Sequence, residues 1–215
     1  MIEVHSPSEP VHGWRDFFIH LATITIGLLI ALSLEGCVEF WHHRSLVHEA
    51  ERSLQVEIAS NAENLQANLA DLRKNRDALA GDVMMMRKII ANPKVPNKET
   101  PTINFNIGSF SDVSWKTAQS TGALAYMPYG MAHQYADIYD QQSVVYGAES
   151  DATRDLVLSV APLVNLAHVA PQLTPEDAVL VKQRIEVLQA QSYVIESLIQ
   201  ELDKKYRIFL SAHPK

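Results

Sequence analysis

The sequence predicts an all-α protein: a single N-terminal transmembrane helix continues into a long helix, packed in an antiparallel helical bundle. An uncharged run from Phe17 to Leu34 is long enough to cross a bilayer. Two later stretches, about Ser45 to Ala91 and Thr174 to Phe209, repeat apolar residues at alternating steps of four and three. Between them, Pro93, Pro96 and Pro101 break any helix. Residues 1–13 read as a short N-terminal tail, 14–36 as the transmembrane helix, and 37–215 as the bundle, with a Pro-rich loop at 92–110.

Composition narrows the function classes. The 215 residues carry a formal net charge of -7, with 20% charged and 47% hydrophobic side chains. That balance argues for a folded chain rather than a disordered one. It disfavours nucleic acid as a partner, which needs clustered Lys and Arg. The one cysteine, Cys37, excludes an intrachain disulfide, so packing must hold the fold.

Phe17 to Leu34 is rich in Phe, Ile and Leu and holds no Asp, Glu, Lys or Arg. At ~1.5 Å rise its length is roughly 27 Å, close to a ~30 Å hydrocarbon core. Trp14 and Trp41 bracket it at headgroup spacing. A cleaved signal would need a basic start and a shorter core. A lipoprotein signal would not place Glu35 beside Cys37. Arg15 precedes the span and Arg44 and Arg52 follow it, a count that leans toward a cytoplasmic bundle by one charge. Thr23, Gly27 and Ala31 form a small-residue stripe, a possible oligomer seam where a second backbone could approach.

Beyond the span only Gly36 weakens the helix before Ser45. Ile58, Ala62, Leu65, Leu69, Leu72, Leu79, Val83, Met86 and Ile90 then mark one seam, with Arg76 in the remaining slot. Asn61, Asn68 and Asn75 recur every seven residues beside it. They read as a solvated flank, the alternative being a register-fixing edge against another helix. Ile103, Phe105 and Ile107 alternate with Asn104 and Asn106, which predicts a short extended stretch. Ser111 or Asp112 caps a short helix that Gly122 ends. Pro128 opens the next helix, with Met131, Tyr135, Ile138, Gln142 and Val145 as its seam. Gly147 to Ser150 is expected to interrupt it, and Pro162 and Pro171 to end it. Thr174-Pro175-Glu176-Asp177 is an N-cap hydroxyl, a Pro at N1 and two acids at the positive helix end. Val181, Ile185, Leu188, Ser192, Ile195, Ile199, Leu202, Tyr206 and Phe209 follow as the most regular seam in the chain.

Chemistry is sparse. No nucleophile elbow, phosphate loop, metalloprotease helix or dinucleotide fingerprint occurs, so no catalytic residue, cofactor or metal is expected. Glu35, Glu39 and His43 share a helix face, but two ligands from one helix do not make a metal site. His20 sits one turn inside the span and reads as a neutral imidazole near the interface. Trp115, Tyr126, Tyr129, Tyr135 and Tyr139 form the aromatic-rich zone. They read first as core, and as the place to seek a small-ligand site.

Ile26-Gly27-Leu28-Leu29-Ile30-Ala31-Leu32, and later Trp115, Ser120-Thr121-Gly122, Tyr135 and Tyr139, resemble a family of N-terminally anchored, single-pass bacterial proteins. That family has an Ile-Gly-x-Leu-Ile-Ala-Leu span core and a Trp followed by Ser-Gly. The resemblance covers about half the chain. It departs where the family has a basic tail and an Asn-Trp after the span. It implies a bacterial inner-membrane anchor with its N-terminus inside and the bundle outside the cytoplasm, and it implies no activity. The expectation is a membrane-anchored helical interaction or scaffold module, oligomeric, with the lipid bilayer and itself or another envelope protein as partners. The alternative is a ligand- or metal-sensing extracytoplasmic domain.

Overall fold

The computed structural model describes residues 13–93, 101–105, 108–169 and 173–214. They form five helices: α1 (Trp14–Ala91), α2 (Val113–Ser120), α3 (Ala123–Tyr126), α4 (Tyr129–Val169) and α5 (Pro175–Ala212). No strand occurs among the described residues. The chain falls into two units, Met1–Glu49 and Ala50–Lys215.

The first unit holds the start of α1, in which every residue from Trp14 to His42 is exposed. It includes the helical window long and apolar enough to cross a membrane by length and composition. Hydroxyls within it satisfy themselves: Thr23 donates to the Ile19 carbonyl at 2.9 Å, Thr25 to Leu21 at 2.8 Å and Ser33 to Leu29 at 2.6 Å.

The second unit is the bundle. Its core lies on the predicted seams. On α1 the fully buried side chains include Leu54, Ile58, Leu65, Leu72, Leu79 and Met86. On α5 all nine seam residues from Val181 to Phe209 are buried, Ser192 among them. The Ser192 hydroxyl donates to the Leu188 carbonyl at 2.8 Å, which pays its desolvation. The α5 start is as the sequence predicts: Thr174 Oγ1 accepts from the Asp177 N–H at 3.1 Å, with Pro175 at N1.

Cross-helix bonds give the directions. α5 runs antiparallel to α1, since Arg73 and Arg76 meet Glu196 at 2.7 and 2.5 Å while Arg87 meets Glu186 at 3.5 Å. It also runs antiparallel to α4, through Asp137–Lys205 at 2.6 Å and Asp155–Gln191 at 2.6 Å. Arg76, the odd residue in the α1 seam, lays its guanidinium 4.4 Å from the Tyr193 ring centroid.

Two expectations fail on α4. Gly147 to Ser150 does not interrupt the helix, and Pro162 sits inside it. Val145 and Ala152 are both buried on either side of Gly147, so packing outweighs a glycine cost of about 1 kcal/mol. At Pro162 the helix loses one rung and continues to Val169. Pro171 lies outside the described residues, and α3 had no counterpart in the sequence reading. The extended stretch holds in part. Ile103 and Phe105 turn inward and Thr102 and Asn104 outward, without strand pairing, while Asn106 and Ile107 lie outside the described residues.

Truncating a seam residue should cost what a core cavity costs. Ile195→Ala is expected to lower unfolding free energy by about 2–5 kcal/mol in a urea titration. The exposed neighbour Val194→Ala should change it by under about 0.5 kcal/mol.

Candidate functional site

The unexpected feature is a strap held along α1, described at Thr102 to Phe105 and at Gly108 to Ser114. Thr102 N–H donates to Asp82 Oδ1 at 3.0 Å. Asn68 Nδ2 donates to the Gly108 carbonyl at 2.8 Å. Asn61 pairs with both sides of Ser111, Nδ2 donating to its carbonyl at 2.7 Å and Oδ1 accepting its N–H at 2.8 Å. Gln142 Nε2 from α4 adds 3.0 Å to the same carbonyl, and the Tyr146 hydroxyl donates to the Phe110 carbonyl.

The spacing is a matter of rise per residue. Asn68 to Asn61 is one heptad, about 10.5 Å of helix at ~1.5 Å each. Gly108 to Ser111 is three residues, about 10 Å of extended chain at ~3.3 Å each. Asn61 and Asn68 therefore face a backbone, neither solvent nor another helix as expected from the sequence. Asn61 is 3% exposed and Asn68 6%. Asn75, the third member, has a partner of its own.

Gly108 is required by this contact. A Cβ there would stand 2.2 Å from Asn68 Oδ1 and 2.9 Å from its Cγ. Asn68 cannot swing away without losing its bond to the Gly108 carbonyl.

The strap ends on Glu57, a buried carboxylate of α1 with three donors. Its Oε2 accepts from the Ser111 hydroxyl at 2.6 Å and from the Ser114 N–H at 2.9 Å. Its Oε1 accepts from the Tyr139 hydroxyl at 2.6 Å. Glu57 thus caps α2 from another helix. Of the two expected local caps, the Ser111 hydroxyl accepts from the Val113 N–H at 3.5 Å, while the Asp112 side chain makes no capping bond and pairs with Lys116 at 2.8 Å. Gly122, at φ +76°, does close α2 as predicted. Burial first, then the bond to Glu57, raises the Tyr139 phenol far above its ordinary range.

The five aromatics of the predicted ligand zone separate. Tyr135 is buried against Phe209, with ring centroids 5.1 Å apart, and burial pushes its phenol up to about 12. Tyr126 and Tyr129 are exposed. Trp115 and Tyr139 come together, stacked at 5.0 Å with an 8° interplanar angle. That pair lines an open cleft of about 510 Å³ with Gln119, His133, Ala136, Asp137, Asp140 and Ser143.

The chain matches no family model, no curated protein and no solved structure. Its residues and geometry therefore carry the functional argument.

The remaining expected sites lie on the first unit. Thr23, Gly27 and Ala31 are exposed along one α1 face. His43 and Glu39 approach to 3.9 Å, and among the described residues no group of three potential metal ligands exists. Cys37 is exposed and free. Sequence reasoning missed Glu57 altogether. Its one signal was an acid four residues before Asn61, in register with the Asn column.

Glu149 occupies a seam position on α4, where its Oε1 is buried without a hydrogen bond. Burial pushes its carboxyl from 4.5 up to about 7.

Two outcomes follow. Gly108→Ala is expected to destabilise the fold by about 1–3 kcal/mol by overpacking. It should cost measurably less in an Asn68→Ala background, because the clashing amide is gone; a double-mutant cycle by urea unfolding checks it. Between pH 4.5 and about 7 the folded chain binds the Glu149 proton more tightly than the unfolded chain. Stability should therefore fall as pH rises through that window. Glu149→Gln is expected to flatten that fall and raise Tm at pH 8, read by calorimetry from pH 4 to 8.

Proposed function

We propose that this chain is a membrane-tethered helical interaction module, anchored by Phe17 to Leu34, with the bundle as its interaction domain. The observation that carries it is the continuity of α1. One helix, Trp14–Ala91, contains an apolar run with no buried residue and also the seam and polar column of the bundle. A hydrocarbon surface left wholly open to water is costly, and lipid is the solvent that removes the cost. The self-satisfied hydroxyls of Thr23, Thr25 and Ser33 suit a medium without water.

Self-association is the partner reading that the stripe of Thr23, Gly27 and Ala31 supports. The side chains on that face are small enough for close helix approach, and nothing within 4 Å occupies the position of a Gly27 Cβ. The resemblance to the single-pass family favours a bacterial inner membrane with the bundle outside the cytoplasm. Reporter fusions at the C-terminus test that side.

After lysis and alkaline washing the intact chain is expected in the membrane pellet, released only by detergent. In mild detergent its mass should exceed one chain, and Gly27→Leu should return it to one. Recovery in the aqueous supernatant overturns the tether. A strictly monomeric wild-type chain that captures no partner overturns the module.

A further inference from the structure

The cleft between α2 and α4 has features that neither the tether nor the bundle core requires. Its aromatic wall is pre-organised. Trp115 stacks at 5.0 Å on Tyr139, and the Tyr139 hydroxyl is fixed at 2.6 Å on Glu57. Glu57 also binds the Ser114 N–H at 2.9 Å, next to Trp115 in α2. One buried carboxylate therefore fixes the Tyr139 ring by its hydroxyl and the α2 backbone beside Trp115. A side chain so positioned loses little freedom on meeting a ligand.

The polar lining has a sign. Asp137 and Asp140 lie on the α4 side of the cleft, with Gln119, His133 and Ser143 around them. Lys205 neutralises Asp137 at 2.6 Å. Asp140 has no ion pair among the described residues and stands exposed at the cleft. The arrangement is thus an indole wall, a carboxylate without an ion pair among the described residues, and polar side chains around them. A volume of about 510 Å³ admits a group the size of an amino acid.

We propose that this cleft binds a guanidinium-type organic cation. A planar cation can lie against the Trp115 indole and pair with the Asp140 carboxylate, two contacts that reinforce each other in one geometry. An anion would meet Asp140 unfavourably, and a neutral ligand would leave that carboxylate without a partner. The cation belongs either to a free small molecule or to an Arg side chain of a peptide. The site stands independently of the membrane reading, since every residue in it lies in the bundle.

The test uses the full chain in detergent with Trp14→Phe and Trp41→Phe, so that Trp115 alone reports. L-Argininamide is titrated against L-citrullinamide, its neutral isostere, and against the peptide Gly-Arg-Gly. The expected result is a saturable change in Trp115 emission with argininamide or the peptide, at least tenfold weaker with citrullinamide. Asp140→Asn, an exposed change that leaves the fold intact by circular dichroism, should weaken binding about tenfold. Equal affinity for argininamide and the peptide supports a free small cation; a peptide at least tenfold tighter supports a partner's side chain. No saturable change, equal binding of citrullinamide, or undiminished binding by Asp140→Asn overturns the proposal.

Discussion

An extended segment laid against helices has no sheet ladder to satisfy the N–H and C=O groups that it turns inward, away from water. Left unpaired, each such group costs about 1–3 kcal/mol, a large share of a domain's net stability. The strap meets this constraint with side chains. Asn61 offers donor and acceptor together, as a neighbouring strand would, and Asn68, Asp82 and Gln142 supply single bonds. Because helix and strap rise at a ratio near seven residues to three, a column every seven residues is the pattern that can follow an extended chain.

The bundle's topology depends on that clamp. α1 and α4 run in the same direction, each antiparallel to α5, so the chain must return between α1 and α4. Where it is described, at Thr102 to Phe105 and Gly108 to Ser111, the strap runs antiparallel to α1. Phe105 and Phe110 are buried along it, and Phe110 meets Tyr206 of α5 with centroids 6.4 Å apart. Polar bonds thus set the strap's register while its rings supply the apolar burial. At its end Glu57 converts the strap into α2 and locks Tyr139, so the stacked Trp115 wall inherits its position from the same column.

Much of the fold was legible because it rests on local periodicity. The α1 and α5 seams, the Thr174 cap, the Gly122 stop and the unbroken passage through Gly36 follow from residues near each other in sequence. What was not legible depends on what stands opposite. Asn61 and Asn68 show their period in the sequence, but nothing local tells solvent from a backbone fifty or forty residues away. Glu57 caps a helix that begins over fifty residues later, beyond any local capping pattern. The aromatic zone was correct in residue type and wrong in grouping. Tyr135 and Tyr139 are four apart on α4 yet face Phe209 and Trp115 respectively, whereas Tyr126 and Tyr129 flank the start of α4 with more than half of their surface exposed. Gly147 and Pro162 were overweighted because burial on both sides of Gly147 is invisible to propensity.

Hydrogen exchange read at the amides of Thr102, Ser111 and Ser114 tests the clamp most directly, since each donates to an α1 side chain. In the wild-type chain these amides should be protected. In Asn61→Ala the Ser111 amide should exchange far faster while Ile185 to Phe209 keeps its protection. Rapid exchange of all three in the wild type, or unchanged protection of Ser111 in Asn61→Ala, would contradict the account.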